Sequence, residues 1–278
     1  MINYKLSPKA LVMIAGSSKG TQDKYYDNGY WYKVNTKGYE SLAEYISTKI
    51  LECSNVTDFV KYEKCTINNK PGCRSKNFLN VNESFISFQR LFDMYHGGDL
   101  MGIITPMDSA DERVNYVKDF IYSSTNLDVS NYLSKIIALD MLILNTDRHF
   151  NNLGIIINSE TEECREAPIF DNGAALLSDF SKFDIEDSLE HNIEKAYAVP
   201  FSSNFELQTR ACGLSLELDY SMLNNVLDEL PDSRARDVLE YQLDRYEEII
   251  PNFNKEINHD IDYDEEYEED GFEPDDDD

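Results

Sequence analysis

The chain has 278 residues with 53 acidic and 25 basic side chains, a net charge of -28, and 41% hydrophobic residues, enough for a full core of one large domain or two lobes. That charge excludes a broad nucleic-acid surface, because lysines and arginines that neutralise phosphates supply nearly all non-specific affinity there. The five cysteines (Cys53, Cys65, Cys73, Cys164 and Cys212) are odd in number and never spaced as CxxC, so neither a disulfide framework nor a zinc knuckle is expected, and most should be buried, reduced thiols.

The N-terminal stretch MINYKLSPKALVMIAG lacks the apolar length and the cleavage pattern of a signal peptide. No segment approaches 18 apolar residues, so the expectation is a cytoplasmic protein with no membrane association. From residue 10 to 92, short β-rich runs alternate with turn signals: ALVMIAG, then GSSKGTQDKYYDNG, then YWYKVNT, and later ESFISFQRLF. The aromatic cluster Tyr25, Tyr26, Tyr30, Trp31 and Tyr32 reads as strand packing in a chain of this charge, not as a platform for stacked bases. One helix interrupts the strands: GYESLAEYISTKILECS places Leu42, Tyr45, Ile46, Ile50 and Leu51 near helical spacing.

Beyond residue 108 the periodicity turns helical, through DERVNYVKDFIYSST, VSNYLSKIIALDMLILN and SMLNNVLDELPDSRARDVLEYQLDRYEEII. The expected architecture is therefore α+β and two-lobed. A small β-rich lobe (1–92) is joined near residues 90–100 to a larger helical lobe (93–257), and an acidic tail (258–278) follows. The cleft between such lobes is a favoured ligand site. Residues 259–278 hold thirteen acids and no lysine or arginine, a run that repels itself and buries little, so disorder is expected there. Such a tail solubilises the chain or occupies a basic or metal site in autoinhibition.

Two polar segments break the apolar pattern, LILNTDRHFNNLGIIIN at 142–158 and PIFDNG at 168–173. Phosphoryl transfer needs a group to orient the attacking hydroxyl, oxygen ligands for magnesium, a lysine on the nucleotide phosphates and a loop that covers them. Asp147 lies five residues before Asn152, a spacing that suits a turn with the carboxylate toward a substrate and the amide oxygen toward a metal. Asp171 supplies a second hard oxygen ligand, and Gly173 is expected to let the backbone bend near it. Lys33 lies in YWYKV at a strand position, after a turn-rich loop with Gly16 and Gly20. The histidines (His96, His149, His191, His259) are far apart, so no zinc set is suggested; His149 is expected to hold its loop, and Arg148 to brace that loop or reach a phosphate.

The stretches GSSKGTQDKY, YWYKV, LAEYISTKIL, GCRSKNFL, ISFQRLF, LNTDRHFNNLG and PIFDNG together resemble the HipA-type serine/threonine kinases in a short form, and more distantly the phosphatidylinositol-kinase type. The resemblance covers about residues 11–175. It implies a protein-kinase-like fold in which Asp147 is the catalytic aspartate, Asn152 and Asp171 bind Mg2+, and Lys33 meets the phosphates of ATP. Glu44 becomes the helix partner of Lys33, with Glu40 the poorer candidate. Residues 17–24, including Ser17, Ser18, Lys19 and Gly20, match the phosphate-covering loop, and Gln89, Arg90, Leu91 and Phe92 match a segment lining the adenine pocket.

Family members can autophosphorylate a serine of that loop, and the doubly charged product would push it out of the nucleotide site. The implied partners are a protein with a serine or threonine acceptor and an antitoxin or regulatory protein, with no direct contact to nucleic acid. Longer members carry an extra N-terminal subdomain; here the loop begins by residue 16, so that subdomain is expected to be absent. Rival readings are a lipid or small-molecule kinase, a nucleotide-binding pseudokinase, and a protein-binding module whose tail mimics nucleic acid. No basic amphipathic segment is evident for a lipid surface.

Overall fold

A computed structural model describes residues 1–12 and 22–252. The expected strand ALVMIAG falls mostly outside these residues, as do the covering loop with Ser17, Ser18, Lys19 and Gly20 and the acidic tail. A five-stranded sheet forms the first lobe, in the order β1 (Asn3–Tyr4), β4 (Tyr62–Ile67), β5 (Lys70–Lys76), β3 (Tyr30–Val34), β2 (Lys24–Asp27). β1 pairs with β4 in parallel, and the other neighbours are antiparallel. Two-residue turns set the hairpin registers. Asn28-Gly29 joins β2 to β3 and Asn68-Asn69 joins β4 to β5, all four residues at positive φ, which is the turn whose twist matches that of the strands.

Helix α1 (Glu40–Glu52) lies against β4 and β5, where the Thr48 hydroxyl accepts the Tyr62 N–H at 3.0 Å, and its stripe Ala43, Ile46, Ile50 and Leu51, all within 1% of full burial, joins the main core with the helical body. A second sheet follows, β6 (Glu83–Ser87) pairing with β7 (Gly154–Asn158), and β7 with β8 (Cys164–Glu166). The remaining body is helical: α2 (Phe88–His96), α3 (Leu100–Ile104), α4 (Ala110–Thr125), α5 (Ser130–Ile143), α6 (Leu189–Lys195), α7 (Phe205–Cys212), α8 (Tyr220–Glu229) and α9 (Arg234–Tyr246). Helix α5 is apolar on nearly every face and runs through the middle of the core against α7 and α9, as a helix without a polar stripe must. Pro231 separates α8 from α9 within the last helical stretch.

The expected strand ESFISFQRLF is only half a strand. At Ser87 the backbone turns helical: the Ser87 hydroxyl accepts the Arg90 N–H as an N-cap, and Phe88, Leu91 and Phe92 fall at i, i+3 and i+4 and sink into the core. The cysteines are all free thiols, four of them buried and Cys164 half-buried. Among the described residues no helix is long and apolar enough to cross a membrane.

Candidate active site

Strand β3 delivers Lys33 to the inner face of the sheet, where only 8% of the residue is exposed. Its ammonium donates to Glu44 Oε1 at 2.5 Å and to Asp171 Oδ1 at 2.6 Å, and sits 4.9 Å from the centre of the Tyr62 ring. Burial alone would lower the pKa of this lysine; Asp171 and Glu44 outweigh it and hold the pKa well above the ordinary value. Glu44, on the second turn of α1, is itself buried, which raises its pKa against the pull of Lys33, and its Oε2 accepts the Asn172 N–H at 2.8 Å.

Glu40 does different work. Its Oε1 accepts the N–H groups of Thr36 and Lys37 at 3.0 and 2.7 Å, and its Oε2 accepts that of Gly38 at 3.0 Å, a carboxylate holding the turn that leads into α1. The structure therefore sets Glu44 beside Lys33 and keeps Glu40 away from it.

Asp171 follows β8 in a left-handed conformation, φ 60°. Its backbone N–H donates to the Tyr62 hydroxyl, and Lys24 of β2 lies 3.8 Å from Oδ2. Burial pushes its carboxyl pKa up, but Lys33 and then Lys24 outweigh this and hold it well below the usual carboxylate range. The bend of this segment is made by Asp171, not by Gly173. The latter has no positive φ, and a Cβ there would meet Glu40 and Glu44 at an ordinary 3.5–3.6 Å.

The segment 145–153 is fixed from beneath by Arg148, which is fully buried. Its guanidinium grips both oxygens of Asp140 on α5 at 2.9 Å, and donates to the Phe170 carbonyl at 2.6 Å and to Asn172 Oδ1 at 2.5 Å. One side chain thus ties α5, the Asp147 loop and the Asp171 segment together, which settles Arg148 as a brace. The loop begins at Leu144, whose left-handed φ of 51° ends α5 and turns the chain outward.

Above this brace Asp147 projects with 60% of its side chain exposed. The protein around it raises its carboxyl pKa, His149 and two lysines pull the other way, and Asp171 adds to the rise. His149 Nε2 is 4.0 Å from Asp147 Oδ2, while its Nδ1 is buried with no partner among the described residues. Asn152 is buried, and its amide nitrogen donates to the Asp147 carbonyl at 3.1 Å.

Asp147, His149 and Asp171 line one cleft of about 380 Å³ together with Lys24, Lys37 and Lys182. A larger cavity of about 550 Å³, between α6, α7 and α9, contains none of these groups and is not the site. The structure does not bring Gln89, Arg90, Leu91 and Phe92 to the cleft. They form the first turns of α2, with Leu91 and Phe92 each 2% exposed in the helical core. The Gln89 amide is occupied by Gly98 and Leu100, and its backbone N–H by the Phe150 carbonyl. Their pattern reads as a capped helix start, and that assignment to an adenine pocket is corrected accordingly. Tyr62, Asp140 and Lys182 are additions that the sequence reading did not include, and Lys24, read as the end of the covering loop, begins β2. Of these only Asp140 carried a signal, a lone acid inside the apolar run IIALDMLIL.

Among the described residues no cluster of three or more His, Cys, Asp or Glu side chains is placed to hold a metal. Asp171 Oδ2 lies in the cleft beyond hydrogen-bond distance of Lys24, whereas Asn152, 5% exposed, is not among the residues that line the cleft. By donor chemistry a carboxylate and an amide oxygen suit magnesium, which keeps several waters and takes the rest of its shell from phosphate oxygens.

No protein-family model and no curated protein matches the sequence. Among solved structures the chain is similar to a Helicobacter pylori proinflammatory kinase, CtkA, with a TM-score of 0.61 and 19% identity over 90% of this chain and 94% of that one. It also aligns with HipA of Shewanella oneidensis MR-1, solved with HipB and operator DNA, at a TM-score of 0.36 and 13% identity, covering 86% of this chain and 57% of that one. The first likeness establishes the fold, a two-lobed kinase-like architecture; the second is too distant to add to it.

Proposed function

We propose that the chain is an ATP-dependent serine/threonine protein kinase of the HipA-like type. The observation that carries this reading is the convergence of Lys33, Glu44 and Asp171, from β3, α1 and the segment after β8, at the edge of a cleft that also holds Asp147. Any one of these residues is ordinary. A buried lysine held between two carboxylates, beside an exposed aspartate on a rigid loop, is the arrangement phosphoryl transfer requires.

The roles of the residues are part of the same proposal. Asn152 and Asp171 would hold magnesium, which when bound supplies charge neutralisation of the phosphate oxygens. Lys33, kept protonated by its carboxylate partners, exchanges Asp171 for phosphate oxygens when the triphosphate enters, while Glu44 keeps the lysine from following it. Asp147, with its high exposure, reaches the acceptor hydroxyl and takes its proton. As that O–H bond breaks, the acceptor oxygen bonds to the γ-phosphorus and the bond from that phosphorus to the diphosphate oxygen breaks, releasing ADP. Arg148 acts on none of these atoms and keeps the two loops in register. Autophosphorylation at Ser17 or Ser18 belongs to the same proposal and concerns residues outside those described.

The test is transfer of label from γ-labelled ATP, with magnesium, to protein acceptors in a lysate, comparing wild type with Asp147→Asn. General-base removal is expected to slow transfer by about 10²–10⁴-fold with the fold intact. Equal labelling by both proteins would reject the role of Asp147, and no labelling by either would reject the kinase.

A further inference from the structure

One end of the cleft is closed by two segments that clasp each other. The turn before α1 pairs with the chain beyond Asp171: Gly38 bridges Asp179, the Phe180 N–H donates to the Lys37 carbonyl at 3.1 Å, and the Tyr39 N–H to the Ser178 carbonyl at 3.4 Å. The approach is so close that a Cβ at residue 38 would stand 2.0 Å from the Ser178 carbonyl oxygen. This clasp brings one lysine from each side, Lys37 and Lys182, to the cleft that Asp147 lines.

Among the described residues, Lys24, Lys33 and Lys37 each have a carboxylate within 4 Å. Asp171 is taken by Lys33, Glu40 by backbone N–H groups, and Asp179 by Lys37 at 3.0 Å and by Ser181. Lys182 is exposed and, among the described residues, forms no ion pair; its ammonium lies 5.8 Å from the Tyr197 ring. Both lysines nonetheless act on Asp147, opposing after His149 the burial that raises its pKa. Glu40 and Glu44 are one turn apart on α1, so the clasp lies about 6 Å along the helix from the Lys33 ion pair. Lys37 and Lys182 thus line the same cleft as Asp147, one helical turn away from the Lys33 ion pair.

Resting on the kinase reading above, we infer that Lys37 and Lys182 recognise the acceptor, selecting a serine or threonine flanked by anionic side chains, whether carboxylate or phosphate. A chain with a net charge of -28 is repelled by an anionic lipid surface, which favours a peptide over a phospholipid headgroup as the source of that charge.

The experiment measures phosphorylation of serine peptides whose flanking positions carry Asp/Glu, phosphoserine, Ala, or Lys, by wild type and by Lys182→Glu. Phosphoinositide vesicles form a parallel arm, and phosphate release from ATP is followed throughout. Wild type should prefer the acidic or phosphorylated peptides by roughly fivefold or more in kcat/KM. Lys182→Glu should erase or reverse that preference through the acceptor KM, with the KM for ATP unmoved; the relative rates on carboxylate and phosphate peptides tell the two sources apart. The inference is overturned if wild type ignores the flanking charge, if the variant slows all peptides equally, if it raises the KM for ATP, or if only vesicles are phosphorylated. Absence of any magnesium-dependent γ-phosphoryl transfer, even to water, overturns the kinase reading itself and is distinct from each of these.

Discussion

Lys33 and Asp171, 138 positions apart in the chain, meet at 2.6 Å across the cleft. The contact joins the sheet of the first lobe to the helical body, and Glu44 shares the same ammonium. Three buried or half-buried charges therefore depend on one another, and the energetics of the site follow from how each is compensated.

The pH dependence of stability should carry the signature of Asp171. Its folded pKa lies below the unfolded value of 3.8, so its contribution is fully present above that value and is lost as the pH falls through the folded pKa. Urea midpoints of wild type and Asp171→Asn should differ by a constant amount from neutral pH to about 4 and converge only below it. Convergence already at pH 6 would contradict the assignment.

Arg148 and Asp140 should behave as a unit. Removing Arg148 alone leaves a carboxylate with no exposed surface uncompensated and is expected to cost about 3–5 kcal/mol. The double variant Asp140→Leu/Arg148→Met should lose less than the sum of the single variants, although Phe170 and Asn172 also lose their donor. Strict additivity in chemical denaturation would show that the brace does not exist in solution.

Glu44 and Glu40, one helical turn apart, should separate activity from stability. Glu44→Gln weakens the grip on Lys33 and is expected to lower kcat/KM roughly tenfold or more. Glu40→Gln turns amide hydrogens toward backbone donors and should cost about 1–3 kcal/mol of stability. Urea unfolding and steady-state kinetics on both variants check this; interchanged phenotypes would mean that Glu40 is the lysine's partner.

Gly38 and Gly173 should respond oppositely to alanine. The new methyl at 38 meets a backbone carbonyl that cannot move freely, for a loss of about 1–3 kcal/mol, whereas at 173 it meets side chains at van der Waals distance and should be nearly silent. Thermal unfolding of the two variants measures the contrast, and equal midpoints would refute the clasp.

The architecture was legible wherever periodicity spanned a whole element: α1, α4 and α5 follow their apolar spacing, whereas β2 lies inside GSSKGTQDKYYDNG, a stretch that reads as a turn signal because Gly, Ser and Asp outnumber its apolar residues. Asp147 and Asp171 stood out because polar residues between apolar runs need a reason to be there. The switch from β6 to α2 was hidden because the aromatic and β-branched residues of FISF run on across it, and the capping Ser87 stands inside that run. Tyr62 and Lys182 were invisible for a different reason. Each acts across a contact far from it in sequence, and a strand tyrosine or surface lysine looks the same whether or not an active-site group lies opposite. Asp140 was readable in principle, since an acid inside a buried helix requires a cation, and Arg148 lies eight residues on.

The central claim is that Lys33, Asn152 and Asp171 form one magnesium–triphosphate site. Calorimetric titration of ATP into wild type, Lys33→Met and Asp171→Asn, each with magnesium and with EDTA, tests it most directly. Wild type should bind ATP only when magnesium is present, and either substitution should weaken that binding at least about tenfold, about 1.4 kcal/mol. ATP binding that ignores both magnesium and the two substitutions, or no binding by wild type at all, would contradict it.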